Sequence, residues 1–151
     1  SIDEAREGYG KKIIVTRYAD GSVEVEDFGR GIPVDYNKRE ERYNWELVFC
    51  EMYAGGKYGE NGENYEYSLG LNGLGSCATQ YSSEFFDATI WRDGFKYSLH
   101  FEKGENIGGL KKEPTDKGKK TGSTFRWKPD LEVFTDINIP VDYYQLGKVV
   151  R

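Results

Sequence analysis

The sequence predicts an α+β fold, a two-layer sandwich in which helices cover one face of a mixed, mostly antiparallel sheet. Two pairs of alternating apolar and polar segments, each joined at an Asp-Gly turn, predict antiparallel hairpins. Apolar residues at helical spacing lie between these pairs and predict the covering helices. The chain has 151 residues, the usual size of one domain. We therefore expect residues 1–151 to form a single domain.

The first third of the chain predicts a helix end, a hairpin and a second helix. Residues 2–8 are typical of a helix end, with Gly8 and Gly10 as stop signals. The β-branched residues 12–18 predict a strand, and Asp20-Gly21 predicts a tight turn into residues 23–26, where valine alternates with glutamate. The second helix is predicted by four apolar residues that share one face: Trp45, Val48, Phe49 and Met52.

A long connection precedes the second hairpin. Residues 55–75 are rich in glycine and polar side chains and predict a long, mobile loop, which in a compact domain is usually functional or disordered. Residues 76–81 then predict the start of a helix. Residues 86–90 and 95–101 alternate on either side of Asp93-Gly94 and predict two antiparallel strands joined by a turn.

The last third of the chain predicts one more strand and a last helix. Residues 103–120 are polar and predict a connection, and residues 121–127 predict a strand with Phe125 and Trp127 on one face. The last helix is predicted after Pro140 by apolar residues that share a side: Tyr143, Leu146 and Val150.

The composition excludes several classes of protein. A formal charge of −5 argues against a DNA-binding surface, because such surfaces are usually basic. The one basic stretch, within residues 111–120, is typical of a solvated loop. There is no run of 18 apolar residues, so no membrane span is predicted. Residues 1–6 lack the basic and then apolar opening of a secretory signal. Because nothing precedes Ile2 to cap its helix, we expect a fragment that is truncated at its N-terminus.

Cysteine and histidine are too few and too scattered to predict a metal site. Cys50 and Cys77 lie far apart along the chain and predict buried or partly buried thiols of a cytoplasmic protein. His100 is the only histidine, and it has no cysteine nearby, which argues against zinc. It also lacks a nucleophile partner, so triad chemistry is a poor fit.

Asp27 is the first residue that indicates a function. It follows a predicted strand and precedes Gly29 and Gly31, where the ladder cannot continue. In a pocket of low dielectric a carboxylate accepts a strong hydrogen bond from an amine, and adenine carries that amine where guanine carries a carbonyl. The glycines would let a flat ring approach the backbone, beside an apolar wall at Ile32-Pro33. The alternative is an aspartate that only caps a turn.

Two further glycine-bearing segments would suit an anion. Gly55-Gly56-Lys57 directly follows the predicted second helix, and it also fits a helix stop. Gly70, Gly73 and Gly75 precede the predicted helix at residues 76–81, and amide groups at a helix start bind phosphate well. Neither segment is a dinucleotide fingerprint or a Walker motif. Each glycine segment is weak evidence by itself, and it is the order of the three along the chain that makes the pattern specific.

In this order, the segments resemble a known family over residues 1–151. The chain is similar to the N-terminal ATPase domain of bacterial type II topoisomerase B subunits, within the superfamily shared with MutL, sensor histidine kinases and the ninety-kilodalton heat-shock chaperone. The resemblance implies the Bergerat-type ATPase fold. The matching segments are Ile2 to Ala5, Asp27 to Pro33, Ala54 to Tyr58, Gly70 to Gly75 and Lys120 to Ser123.

The resemblance implies a role for each matching residue. Asp27 would bind the adenine amine, and Ser123, where the family has threonine, would share a water with Asp27 and the ring. Glu4 would pair with Arg30, which would stack over the adenine or an inhibitor ring, and Asp3 would join the nearby waters. The pocket would be lined by Val25, Gly31, Ile32, Pro33, Val48 and Met52. The ribose and phosphates would be met by Gly55, Gly56, Lys57 and Tyr58, then by Leu71, Asn72, Gly73, Leu74 and Gly75, with Arg92 at the outer rim.

The departures from the family pattern concern hydrolysis. The family's general-base glutamate and magnesium-binding asparagine would lie before Ser1, and a phosphate-binding lysine belongs to the next domain. No catalytic residue and no metal ligand is therefore expected in this fragment, which should hold nucleotide or inhibitor but barely turn over. Asn72 replaces a usual histidine, Glu66 a usual lysine and Phe125 a usual valine, and these changes weaken the expected nucleotide affinity.

The resemblance also implies what the intact protein does. It would be a DNA gyrase or topoisomerase IV B subunit that uses ATP and Mg²⁺ to drive DNA strand passage in the cytoplasm. Its partners would be a second B subunit, the DNA-cleaving A subunit and DNA, and the transducer and DNA-handling domains would lie outside this chain. The fragment itself would be a monomer without direct DNA or membrane binding. Two alternatives remain: a degenerate nucleotide-binding scaffold or interaction module, and a histidine kinase or chaperone nucleotide domain, against which the Gly-Arg-Gly-Ile-Pro segment argues.

Overall fold

The computed structural model describes residues 1–52, 74–116 and 120–135. Within these ranges the chain forms short helices and a large sheet, in which every strand pairing is antiparallel. The helices are α1 (Ile2–Arg6), α2 (Asn44–Cys50) and α3 (Gly75–Tyr81). The strands are β1 (Ile13–Arg17), β2 (Val23–Asp27), β3 (Tyr36–Asn37), β4 (Arg42–Tyr43), β5 (Ser83–Arg92), β6 (Phe95–Glu102), β7 (Glu105–Asn106), β8 (Lys111–Pro114) and β9 (Gly122–Pro129).

The sheet brings distant parts of the sequence together. Its strands lie in the order β1-β2-β9-β5-β6, and the outer edge of β6 is shared by β7 and β8. Strand β9 is thereby inserted between the two hairpins, so that Asp27 of β2 lies opposite Ser123 of β9. The predicted α+β class is confirmed.

Both predicted Asp-Gly turns are present. At the first, Gly21 has a φ of 86°, and the Oδ1 atom of Asp20 accepts hydrogen bonds from the Ser22 amide at 2.8 Å and the Ser22 hydroxyl at 2.6 Å. These bonds to the ionised form lower the pKa of Asp20. At the second turn, Asp93 and Gly94 have φ values of 54° and 78° and join β5 to β6.

The core lies between α2 and one face of the sheet. Phe49 of α2 is fully buried, and its ring centroid lies 5.5 Å from that of Phe86, 5.8 Å from that of Phe101 and 6.1 Å from that of Phe125. Because alternate strand residues point to the same face, Ala88 and other inward residues of β5 and β6 complete this aromatic cluster. The predicted packing of an apolar helix face against the sheet is confirmed.

The predicted boundaries and connections were partly wrong. Helix α1 ends at Arg6, and Gly8 follows the C-cap Glu7 with a φ of 90°, which confirms it as the stop signal. Helix α2 ends at Cys50, because Glu51 is extended, and this leaves the predicted face residue Met52 outside the helix and 58% exposed. The region predicted as a polar connection contains β7 and β8, which pair with β6. Strand β8 is exposed on both faces, so it lacks the alternation that reports burial.

Some predicted elements lie outside the described residues. These are most of the predicted loop, residues 55–73, and the helix predicted after Pro140. Among the residues that the structure does describe, no helix has the length and apolar character needed to cross a bilayer.

The other face of the sheet carries a row of alternating charges. Glu24, Arg126, Asp87 and His100 lie directly opposite one another on four neighbouring strands. The His100 ring contacts Asp87 through Nδ1, and its Nε2 lies 3.0 Å from Oε1 of Glu102. Hydrogen bonds to Glu102 and then to Asp87 raise the pKa of His100 above its ordinary value, and they outweigh the opposing effect of burial.

Replacing His100 with glutamine should flatten the dependence of stability on pH. Because the folded pKa is raised, the protonated imidazole contributes stability below about pH 6.5, and this contribution is lost as the pH rises through the higher folded pKa. The side chain is 39% exposed, so we expect the effect to stay below about 1 kcal/mol and to shrink with added salt. Urea unfolding at pH 6 and pH 8.5 measures it, and equal pH slopes for both proteins would contradict this assignment.

Candidate functional site

Asp27 is buried at the end of β2, with a relative exposure of 6%. Its Oδ1 atom accepts hydrogen bonds from the amides of Gly29 at 3.1 Å and Ser123 at 3.3 Å. Its Oδ2 atom accepts the hydroxyl hydrogen of Ser1 at 2.6 Å. The bond to Gly29 closes a turn, as the alternative interpretation predicts, but it engages only one carboxylate oxygen. The second oxygen lies where the start of α1 meets the sheet.

Ser123 links the buried carboxylate to the glycine segment that follows β2. It is 2% exposed, its amide donates to Asp27, and its hydroxyl oxygen accepts the amide hydrogen of Ile32 at 3.1 Å. This residue therefore fixes both Asp27 and Ile32 relative to β9. The predicted water that Ser123 would share with Asp27 stays a prediction.

Glu4 and Arg30 form a close ion pair between α1 and the glycine segment. Arg30 donates from Nη2 to Oε1 of Glu4 at 2.7 Å and from Nε to Oε2 at 3.2 Å, and its backbone amide reaches Oε2 at 3.0 Å. Partial burial acts to raise the pKa of Glu4, but the hydrogen bonds and charge of Arg30 together outweigh it, and that pKa lies below its ordinary value. The guanidinium carbon of Arg30 also lies 3.8 Å from the centroid of the Tyr9 ring.

The glycines after Asp27 serve packing within the protein. Gly31 has a φ of 81°, and a Cβ atom there would lie 2.8 Å from the carbonyl oxygen of Trp91. A Cβ atom at Gly29 would lie 2.8 Å from Oε2 of Glu4. Protein atoms thus occupy the direction that a side chain would take at both positions, and the expectation that a flat ring approaches this backbone stays a prediction. Arg92 donates from Nη1 to the Gly31 carbonyl at 3.0 Å and holds this segment against β5.

Replacing Gly31 with alanine should destabilise the fold by about 1–3 kcal/mol, the range for a residue forced into a sparsely populated conformation. The positive φ and the contact with the Trp91 backbone both oppose a Cβ atom. Urea unfolding measures the loss. The control is alanine at Gly94, which also has positive φ but has no atom within 4 Å of the added Cβ, so it isolates the conformational cost. A Gly31 variant as stable as the wild type would contradict this close approach.

The remaining predicted site residues fall into three groups. Val48 and Pro33 are buried, Ile32 packs against the core, and Val25 and Asp3 are half-buried. Leu74 caps α3 and Gly75 begins it, while Met52 is exposed beyond α2. Seven predicted residues lie outside the described ranges: Gly55, Gly56, Lys57, Tyr58, Leu71, Asn72 and Gly73.

Two residues of the site were missed from the sequence. Ser1 contacts Asp27 across 26 positions of the chain, and Tyr9 stacks on Arg30 across 21 positions. Neither lies in a motif, because both contacts arise only when α1 meets the end of β2. A sequence signal existed only for Tyr9, an aromatic residue placed between Gly8 and Gly10.

Comparisons with known proteins show what the whole chain is similar to. The DNA gyrase B protein of Synechocystis is 40% identical over 151 residues, which cover 100% of this chain and 14% of that protein. The chain thus spans about a seventh of that relative's length. No family model matches the chain.

Two solved structures share the fold. The 43K ATPase domain of Thermus thermophilus gyrase B, in complex with an aminocoumarin, has a TM-score of 0.77 and 27% identity over 97% of this chain and 35% of that one. The topoisomerase IV ATP-binding domain of Francisella tularensis, in complex with a small-molecule inhibitor, has a TM-score of 0.77 and 29% identity over 97% of this chain and 67% of that one. With similarity along its whole length in both sequence and fold, the chain belongs to the family of DNA gyrase B and topoisomerase IV B ATPase domains.

Proposed function

We propose that residues 1–151 are the ATP-binding domain of a DNA gyrase or topoisomerase IV B subunit, and that Asp27 binds the adenine amine. The observation that carries this proposal is the buried Asp27 carboxylate, which has one oxygen tied to backbone amides and the other turned towards α1. A buried charge that served only to close a turn would be costly, since an exposed aspartate such as Asp20 closes a turn equally well.

The hydrogen-bond count at Asp27 favours adenine over guanine. A carboxylate has about four acceptor positions, and two on Oδ1 and one on Oδ2 are engaged by the contacts described above. We propose that the remaining position on Oδ2, which lies 3.9 Å from the Ser1 ammonium nitrogen, accepts one N–H donor of the ligand. The adenine amine supplies that donor, whereas the guanine carbonyl would place an acceptor against the carboxylate. We therefore propose ATP as the nucleotide.

The other parts of the ligand would extend from this point. We propose that Arg30, Ile32, Pro33 and Val48 contact the base, with Arg92 at the outer rim. The predicted ribose and phosphate contacts fall mainly on residues outside the described ranges, and their roles stay proposals. In the described parts of the chain, no cluster of three or more His, Cys, Asp or Glu side chains could hold a metal ion. We propose that Mg²⁺ enters with ATP in the intact protein.

In the intact protein, ATP binding and hydrolysis would drive DNA strand passage in the cytoplasm, with a second B subunit, the A subunit and DNA as partners. The formal charge of −5 supports DNA contacts elsewhere in that assembly.

Calorimetry on the 151-residue chain tests the proposal. A non-hydrolysable ATP analogue and an aminocoumarin should bind, and the corresponding GTP analogue should bind at least about tenfold more weakly, the cost of a buried polar mismatch. Failure of both the ATP analogue and the aminocoumarin to bind a folded chain would overturn it and favour the scaffold alternative.

A further inference from the structure

We propose that Tyr9 is a positioning residue that holds the Arg30 guanidinium in the orientation the purine site needs. This inference rests on the proposed function, because it assigns Tyr9 to the same site. It concerns a residue outside the glycine segments, whose contact with Arg30 exists only in the folded chain.

The first support is that Glu4 and Tyr9 contact different parts of the Arg30 guanidinium group. Glu4 binds the edge of the guanidinium at Nη2 and Nε, which fixes its distance from α1. An edge contact leaves the plane free to tilt about the line that joins the two groups. The Tyr9 ring, 3.8 Å from the guanidinium carbon, contacts a face and removes this tilt. The two contacts restrain different motions of the same guanidinium.

The second support is the way in which the backbone holds Tyr9. Its amide donates to the Glu4 carbonyl at 2.9 Å, so that the ring is anchored to the same residue that pairs with Arg30. The next residue, Gly10, packs directly on the chain before Arg30, where an added Cβ would lie 2.9 Å from the carbonyl carbon of Phe28. Tyr9 is 43% exposed, so burial in the core does not explain an aromatic residue here.

The same chain offers a matched control on another part of the sheet. The guanidinium carbon of Arg126 lies 3.7 Å from the centroid of the Tyr18 ring, and its Nη2 lies 3.5 Å from Oδ2 of Asp20. This is the same combination of tyrosine, arginine and carboxylate, but Arg126 lies in the charged row on the face of the sheet away from α2. Removing either tyrosine ring removes one stacked arginine contact.

The experiment compares Tyr9→Leu, Tyr9→Phe and Tyr18→Leu. Calorimetry with a non-hydrolysable ATP analogue should show about two- to fivefold weaker binding for Tyr9→Leu, the usual worth of an exposed cation–π contact. Tyr9→Phe keeps the ring and should restore wild-type affinity, and Tyr18→Leu should leave affinity unchanged. In NMR relaxation of the ligand-free chain, Tyr9→Leu should increase the mobility of the Arg30 Nε–H group, while Tyr18→Leu should do so only for Arg126.

The outcomes separate this inference from the proposed function. If Asp27→Asn weakens binding and Tyr9→Leu does not, the inference fails and the proposed function stands. If Tyr9→Phe behaves like Tyr9→Leu, the hydroxyl group rather than the ring is responsible, and the stacking role is wrong. If the wild-type chain does not bind the analogue, the proposed function fails and this inference fails with it. Unchanged Arg30 mobility in Tyr9→Leu would also overturn the inference, without reference to any ligand.

Discussion

Asparagine in place of Asp27 is expected to weaken binding of an ATP analogue by about 10- to 100-fold, because a hydrogen bond to a charged group is worth roughly 1.5–3 kcal/mol. The substitution replaces Oδ2 with an amide that donates hydrogens. Two donors, the adenine amine and the asparagine amide, would then face each other. Discrimination against a GTP analogue should fall at the same time, since the new amide can donate to the guanine carbonyl.

The fold should survive this change. The asparagine Oδ1 atom can still accept hydrogen bonds from Gly29 and Ser123, and its amide nitrogen can donate to the Ser1 hydroxyl oxygen. Alanine would instead leave the two buried amides unpaired, at a cost of about 1–3 kcal/mol each. A loss of affinity could then not be separated from a loss of stability. Asparagine is therefore the informative variant.

Calorimetry measures the affinity, and thermal unfolding confirms that the variant is folded. The matched control is Asp20→Asn, which changes another aspartate whose Oδ1 atom accepts the amide hydrogen of the residue two positions later. Asp20 is exposed in the turn between β1 and β2, so its variant should bind like the wild type. Equal affinity for Asp27→Asn and the wild type would mean that Asp27 only closes a turn.

The sequence predicted those features that burial and local geometry control. Period-two alternation located β5 and β6, and the two Asp-Gly turns followed from the positive φ that glycine tolerates. Asp27 was found because a carboxylate stands where a strand ends and a glycine segment begins. Each of these signals is contained within a few neighbouring residues.

The features that were missed depend on contacts between distant segments or on exposed backbone pairing. Strand β8 is stabilised by hydrogen bonds to β6 and has no buried side chains, so hydrophobic pattern could not reveal it. Ser1 and Tyr9 reach the site only because α1 packs beside β2. The spacing of Met52 continued the helical pattern of α2, but the backbone becomes extended at Glu51, which pairs with Arg42 instead. Periodicity alone does not report where a helix stops.

Alanine in place of Phe49 should lower the free energy of unfolding by about 3–5 kcal/mol, the usual cost of truncating a buried phenylalanine. Phe49 is fully buried and contacts Phe86, Phe101 and Phe125, which belong to three different strands. Its removal would leave a cavity between α2 and the centre of the sheet. Since small domains are stable by roughly 5–15 kcal/mol, this loss would be a large share of the total.

Urea unfolding measures this loss, and Phe134→Ala serves as the control because Phe134 is 36% exposed, so its truncation should cost less than about 1 kcal/mol. The partners of Asp27 are Ser1, Gly29 and Ser123, and none belongs to α2, so Asp27 itself should stay in place in the folded fraction of Phe49→Ala. Affinity in that fraction should fall only as far as Val48, the α2 residue proposed to contact the base, is displaced. A loss of under about 1 kcal/mol for Phe49→Ala would mean that α2 is not seated on the sheet through this ring. A loss of affinity in the folded fraction as large as that of Asp27→Asn would instead place α2 among the elements that support Asp27.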